Sequence, residues 1–516
     1  MFASDSTGPV SFLFYDFETT GADPRCDRPV QFAAIRTDEA LNVIDDPVTF
    51  YATLSAEVLP HPQAILVTGI LPEDLAAAGG TCEAVFAARI HEQMSRPGTC
   101  AVGFNSLRFD AEMLRFMFWR NLRDPYAHEW KNGNSRWDVL DAARAVRLLR
   151  PEGIEWPRDD AGQPTLRLEA LTAANGIAHA HAHDALGDVE ATIDLARLLK
   201  RNAPKLFDYL LRLRSKHVAA DFVDDPDRSA FVHVSGRISA EQGSASLFAN
   251  LGQAGGVGTQ RLLWDLRFDP TEVLDSSVDE LTARRFLSQA EVTETQTRLP
   301  IKLLHLNRAP VVVSAAILQE DAVAQRMQLD RDRVRGHLAV MDRHKPAIAE
   351  KLQSVLAAQR DYAPQDVECA LYDGFMPTGD RAALEAFNRR LDRALSHDSP
   401  LTDPGVEAGL IDLIRHDWQD ARLPELCFRF VARTRPDLLP EVDRVKWQDW
   451  QRDRLVGTPS GEVNNGMSYA CFFATIEALL TQTPEVTPEA QQLLVRLRAW
   501  GRQHEIDQGV TGWAEA

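Results

Sequence analysis

Residues 11–37 read SFLFYDFETTGADPRCDRPVQFAAIRT. The first seven, SFLFYDF, are the apolar and aromatic run expected of a buried strand. TTGADPRCDRP supplies turn residues, and VQFAAIRTD resumes a strand. Two acids, Asp16 and Glu18, sit near the end of the first strand. Residues two apart in a strand project to the same face, so the two carboxylates stand side by side. Such a pair repels itself and resists burial, and a hard divalent cation with oxygen ligands meets that need. Solvated acids at a strand end would read the same way, so the pair alone decides nothing.

Outward from these strands, helical patterns run over 82–96, 110–122, 138–149 and 185–200. Strands followed by amphipathic helices indicate an α/β domain. In VGFNSLRFDAEMLRFMFWRNL, the apolar VGF is a short strand and NSLRF a connection. Asp110 then opens a helix that buries Met113, Leu114, Met117 and Phe118. Taken singly, Asp110 could be an N-cap carboxylate. In HAHDALGDVEATIDLARLL, Asp188 shares a helical stripe with Thr192, Leu195 and Leu199 and so faces inward. Asp184 is placed to cap that helix, and His183 lies just ahead of it. A lone histidine there is more often structural than catalytic. Together, two strand carboxylates, one at a helix start, one inward on a helix and a preceding His suit two-metal phosphodiester hydrolysis. A His of near-neutral pKa can take a proton from water.

The whole chain of 516 residues has room for about three domains. A basic stretch at 201–217 is followed by β-type segments over 218–315, such as FVHVSG, RLLWDLRF and IKLLHL, which point to a small barrel or sheet. From about 318 the pattern is helical to the end, with a frayed tail, DQGVTGWAEA. No apolar run approaches the ~18–20 residues that cross a bilayer. MFASDSTGPV lacks the form of a signal peptide, so a cytoplasmic location with no membrane partner is expected. Cys26, Cys82, Cys100, Cys369, Cys427 and Cys471 form no zinc spacing and read as reduced thiols. The net charge of −19 argues against indiscriminate nucleic-acid binding, which needs Lys and Arg. A DNA-binding reading must locate a basic surface on an acidic body.

DFETTG, NSLRFD and HDALGD resemble the three motifs of the DEDDh family of proofreading-type 3′→5′ exonucleases, and the spacing of His183 and Asp188 marks its "h" branch. The likeness extends to the bacterial exodeoxyribonuclease I family. It is carried by DRPVQFAAIRTD, NSRWDVLDAARAVRLLRPEGIEWP, LFDYLLRLRSKH, FVHVSG, PIKLLHLNRAPVV and LYDGF, and spans most of residues 11–455. The resemblance implies a ribonuclease H-like (DnaQ-type) α/β exonuclease domain at 11–200. An SH3-like β-barrel domain at 204–358 and a helical C-terminal domain at 361–507 would follow, the three embracing a groove for single strands. It implies that Asp16, Glu18, Asp110 and Asp188 hold two Mg²⁺ ions, with Mn²⁺ a possible substitute, and that His183 is the general base. Glu18 and Arg167 would contact substrate. Arg115, Tyr126, Trp130, Arg144 and Arg150 match the family's DNA path, and Lys302 and Asn307 match contacts from the barrel. Thr68-Gly69-Ile70 resembles the segment near the terminal nucleotide. The implied roles are recombination and mismatch repair, in a monomer.

The residues between 108 and 150 agree in character. Arg108, Arg115, Arg120, Arg123, Lys131, Arg136, Arg144, Arg147 and Arg150 outnumber six acids there, and Tyr126, Trp130 and Trp137 interleave with them. Cations track phosphates and aromatics stack on unpaired bases. Trp137 reads equally as core.

The family also binds the acidic tail of single-stranded-DNA-binding protein in an arginine-lined pocket. Arg331, Arg335 and Arg343 are the nearby candidates, but Leu318 and Asp342 stand where basic residues are expected. The stretch past about 455 departs from the family pattern. Two rivals remain: a DEDDh exoribonuclease, usually a much shorter chain, and a non-catalytic single-strand-binding scaffold.

Overall fold

The computed structural model describes residues 11–179, 184–293, 297–358, 365–397, 399–457, 466–482 and 487–510. Its first sheet has the strands β1 (Ser11–Thr19), β2 (Pro29–Thr37), β3 (Val48–Tyr51), β4 (Thr99–Gly103) and β5 (Ser135–Asp138), in the order β3-β2-β1-β4-β5. β1 pairs antiparallel with β2 and parallel with β4. Alternation along β1 sorts its side chains between two layers. Leu13, Tyr15 and Phe17 pack with Phe86, Ile90, Leu114 and Met117, from the helices Glu83–Met94 and Asp110–Arg120. Phe12 and Phe14 face the other way, toward Val139, Ala143, Val189 and Ile193 from the helices Val139–Leu149 and Ala185–Asn202. Asp16 and Glu18 continue that second face.

The second sheet holds β6 (Ala230–Val234), β7 (Ala245–Gln253), β8 (Gln260–Asp265), β9 (Ile301–His305) and β10 (Val311–Ser314), antiparallel throughout in the order β10-β6-β7-β8-β9. The expectation of β structure over 218–315 needs a correction. Thr271–Asp275 and Val278–Phe286 are helices, the latter started by a capping box between Ser277 and Glu280. That Ser-x-x-Glu signal was present in the sequence. Helix Pro204–Arg212 joins the two sheets: Phe207 packs edge-on against Trp137 at 5.0 Å, and Tyr209 Oη donates to the Val312 carbonyl at 2.7 Å. Trp137 is therefore core.

The remaining chain is helical. Leu384, Leu410, Leu426 and Phe430 form one core with Ala84, Phe116 and Trp119 of the first domain. The last two helices, Tyr469–Gln482 and Pro488–Asp507, pack Phe472, Ile476 and Leu494 against Leu59, Ile65 and Leu71. Ion pairs run through this boundary. Arg28 meets Glu368 at 2.8 Å, Arg433 meets Glu57 at 2.5 Å and also Glu368, and Arg429 meets Asp366 at 2.8 Å. Burial alone would raise the Glu368 carboxyl, but Arg433, Arg28 and Arg429 hold it well below its usual value. Among the described residues no helix is long and apolar enough to cross a membrane.

Removing one partner of a buried pair strands the other charge at a cost of about 3–5 kcal/mol, whereas an exposed pair contributes below about 1 kcal/mol. Arg28→Met should therefore lower the midpoint of the first urea-unfolding transition far more than Arg452→Ala, which removes the exposed partner of Asp449. Equal shifts would mean that the buried network does not hold the domains together.

Candidate active site

β4 accompanies β1 only over Ser11–Phe14 and stops at Gly103, so the rest of β1 projects into a cleft. Gly103 is required there: a Cβ would lie 2.6 Å from Ser106 Cβ and 3.0 Å from the Tyr15 carbonyl. The connection from β4 to the next helix is held by Asp138, whose carboxylate accepts from the backbone N–H groups of Asn105 (3.0 Å), Leu107 (3.2 Å) and Leu140 (2.9 Å). It delivers Asp110 to the end of β1 from the layer opposite Asp188. Asp110 is buried, and its Oδ1 has no hydrogen-bond partner among the described residues. Helix Ala185–Asn202 begins with Asp184, which accepts from the Gly187 N–H and, at 2.7 Å, from Gln31 Nε2 on β2. One turn in, Asp188 comes level with the strand acids.

Ligand oxygens of Asp16, Glu18 and Asp188 lie within 4.8 Å of one another, with Asp110 outside that trio. Burial, then Asp188 and Asp110, push the Glu18 carboxyl up to about 8. Burial, with Asp138 and Asp188 adding to it, raises Asp110 to about 7 even though the Phe17 N–H opposes the shift. Asp16 is raised well above its usual value by burial and then by Asp110, Glu18 and Asp188. Four repelling carboxylates with an orphaned buried oxygen among them fit hard divalent cations, whose oxygen ligands these are.

Three family models match the chain in succession: "Exonuclease" over residues 13–196, "Exonuclease I SH3-like domain" over 214–358 and "Exonuclease I C-terminal domain" over 365–504. Exodeoxyribonuclease I of Escherichia coli K12 is 39% identical over 450 residues, 87% of this chain and 90% of the relative. The chain belongs to the exodeoxyribonuclease I family. The fold agrees: E. coli exonuclease I in complex with a dA16 oligonucleotide superposes with a TM-score of 0.85 at 37% identity, covering 96% of this chain and 100% of that one. A structure of SSB/exonuclease I with an inhibitor matches at a TM-score of 0.82 and 36% identity, again over 96% and 100%. The exonuclease family is metal-dependent, and this member carries the acidic cluster that such dependence needs.

An exodeoxyribonuclease I also needs a path for its strand. A cavity of about 530 Å³ runs from Asp16 and Asp188 past Arg144 and Arg167 to Gly236 of the second domain. Arg167 is exposed just before helix Leu168–Ala174. Arg144 is paired with Asp141 at 2.5 Å and lies flat on Gly236, where a Cβ would stand 2.7 Å from its guanidinium. Lys302 donates to Ser235 Oγ at 2.8 Å, and burial, with Arg237 beside it, lowers its ammonium to about 8. The carbonyl of exposed Asn307 accepts from Arg136 at 3.2 Å. Trp130 is 65% exposed, Tyr126 is half-buried with the Arg115 guanidinium 5.2 Å from its ring centroid, and Arg150 reaches out to Glu320 at 3.4 Å. Of the expected contacts, only Arg144 and Arg167 line this cavity with the acids.

The nine cations between 108 and 150 do not form one surface track. Arg115, Arg120, Arg123 and Arg136 are buried in ion pairs with Glu129, Glu83, Asp392 and Glu129 respectively. Arg115, Arg136 and Arg120 neutralise the buried or half-buried Glu129 and Glu83, and the buried Arg123 meets the more exposed Asp392, a distinction that charge counting cannot make. His183 lies outside the described residues. Two residues near the acids escape a reading of the sequence. His179 Nε2 lies 2.5 Å from Asp188 Oδ1, and Asp138 holds the loop before Asp110. The alternating HAHAH at 179–183 is the available signal for His179. Asp138 has the sequence context of an ordinary helix cap, and nothing local marks its reach to the loop.

A carboxyl whose pKa is raised by folding keeps a proton that the unfolded chain has lost. Its stabilising effect is full below the ordinary value, 4.5 for Glu18, and is lost as pH rises toward about 8. In chelator, the melting temperature should fall between about pH 5 and pH 8. Glu18→Gln should flatten that fall, and divalent cations should reverse it. A melting temperature flat with pH in chelator would show that the acids do not repel as described.

Proposed function

We propose that this chain removes 5′-mononucleotides from the 3′ end of single-stranded DNA. The observation that carries the reading is the trio Asp16, Glu18 and Asp188 at the end of β1, opening into a cleft lined from both sheet domains. The units are an exonuclease domain at 11–200, an SH3-like domain at 204–358 and a helical domain at 361–507. Asp16, Glu18, Asp110 and Asp188 would hold two Mg²⁺ ions, with Mn²⁺ able to replace them. When bound, such ions neutralise charge on the phosphate and lower the pKa of water. Glu18 contacts the terminal nucleotide as well. His183 takes the proton from the attacking water, at a typical gain of about 10²–10⁴-fold. His179 orients Asp188 through their contact.

Along the strand, Arg167 and Arg144 face the phosphates nearest the acids, and Lys302 and Asn307 approach from the second domain. Trp130, Tyr126 and Arg150 serve nucleotides farther out, with Arg115 fixing the Tyr126 ring. Lys302 is well suited to an incoming phosphate, because a partly desolvated ammonium gains most from a new anion. The setting is cytoplasmic recombination and mismatch repair, by a monomer recruited through the tail of single-stranded-DNA-binding protein. Arg331 and Arg335 are already paired with Asp321 and Asp332, which leaves Arg343 the freer of the three candidates for that tail.

End-labelled single strands should be degraded from the 3′ end with magnesium, and duplex or RNA oligomers much more slowly. Asp188→Ala should abolish hydrolysis while leaving single-strand affinity in calcium intact. Equal degradation of RNA, or tight binding with no nucleotide released, would sink the reading. Trp130→Ala should weaken binding of a long oligonucleotide by about 5- to 100-fold, the worth of one stacked base, and leave dinucleotide hydrolysis unchanged. Equal losses on both would take Trp130 off the path.

A further inference from the structure

Next to the acid cleft lies a second cavity of about 340 Å³. Pro164 lines both. Three arginines face the second cavity: Arg147 from the end of helix Val139–Leu149, Arg158 from the loop beyond it, and Arg326 from the end of helix Asp321–Arg326. Each makes one hydrogen bond to a backbone carbonyl: Arg147 Nη1 to Ala240 (3.1 Å), Arg158 Nη1 to Gly162 (2.7 Å) and Arg326 Nε to Leu148 (2.7 Å). A guanidinium carries five N–H donors, so most of theirs remain for a ligand.

None of these three has a carboxylate partner among the described residues. Their neighbours Arg108, Arg136 and Arg144 are all paired with acids. Glu241 is the one acid lining the cavity, and it bonds none of the three. Burial lowers the Arg147 pKa, and the charges of Arg158 and Arg326 lower it further, so the three guanidinium groups repel one another at short range. An anion between them would relieve that repulsion and take charge-assisted, fork-shaped hydrogen bonds. The volume lies near the lower end of small-ligand pockets, roughly 300–1,000 Å³, more than a bare inorganic ion needs. Leu148 and Pro164 offer an apolar wall beside the charges.

We propose that this cavity binds a 5′-mononucleotide through its phosphate monoester, the product that the adjoining cleft releases. The inference rests on the exonuclease reading for the source of the ligand, and on the three unpaired arginines for the site. Its consequence is product retention: mononucleotide held beside the cleft slows turnover as it accumulates.

Calorimetric titration of the full chain, in magnesium and again in chelator, tests it with 5′-dAMP, deoxyadenosine and inorganic phosphate as probes. Binding in chelator isolates the arginine cavity from the acid cleft. The expected result is one dAMP site that persists in chelator, with no binding of deoxyadenosine and weaker binding of phosphate. The double variant Arg158→Gln/Arg326→Gln, checked for an unchanged melting temperature, should lose dAMP affinity at least about tenfold, a loss of about 1.4 kcal/mol. It should degrade dilute single strands at the parent rate and resist inhibition by added dAMP. Unchanged dAMP affinity in that variant, or no dAMP site in chelator, would overturn the proposal. So would phosphate binding as tightly as dAMP, or a variant that loses affinity for single strands alone. A chain that binds dAMP here but degrades no DNA would leave the site standing and remove the exonuclease reading.

Discussion

Four carboxylates converge where β1 runs out past β4, close enough to repel one another. Burial and that repulsion raise Asp16, Glu18 and Asp110 far above ordinary acids. The surrounding fold is the apparatus that holds this unfavourable cluster still. Strand alternation puts two acids on one face, helix Ala185–Asn202 covers that face with a third, and Asp138 anchors the loop that carries the fourth. Cations complete the arrangement, so the energy that destabilises the bare site is what gives it affinity for metal.

Much of this was legible in the sequence, because the signals were local. The strand pair at 11–37, the helices beginning near Glu83, Asp110, Val139 and Ala185, and the cap at Asp184 all appear where periodicity and capping place them. Long-range partnerships were not legible. Nothing near Arg115 in the chain indicates that its charge is spent on Glu129, nor near Arg123 that Asp392 awaits it. Residues 271–286 pass for β structure in the sequence because hydrophobic runs on either side of them outweigh a single capping box.

Charge is distributed by location as well as by count. The body is acidic, yet Arg144 and Arg167 line the cleft, and a second group of arginines without carboxylate partners among the described residues gathers beside it. Arginines around the cleft stand in three kinds of setting: paired with buried acids, lining the cleft, or bonded to a backbone carbonyl without a carboxylate partner among the described residues. Their surroundings tell which. A buried carboxylate within 3 Å of Arg115 marks the first kind, and a backbone carbonyl as sole partner of Arg158 marks the last.

The buried ion pairs between the first domain and the C-terminal helices carry an evolutionary consequence. Arg28, Glu57, Glu368 and Arg433 share partners, so a change at any one leaves a charge stranded in a dry interface. Single substitutions there are therefore selected against, while compensated sets are tolerated, since effects within one network are not additive. These four positions should drift through descendants of this chain together or not at all. The apolar core that includes Leu426 and Ala84 tolerates conservative changes singly and at smaller cost.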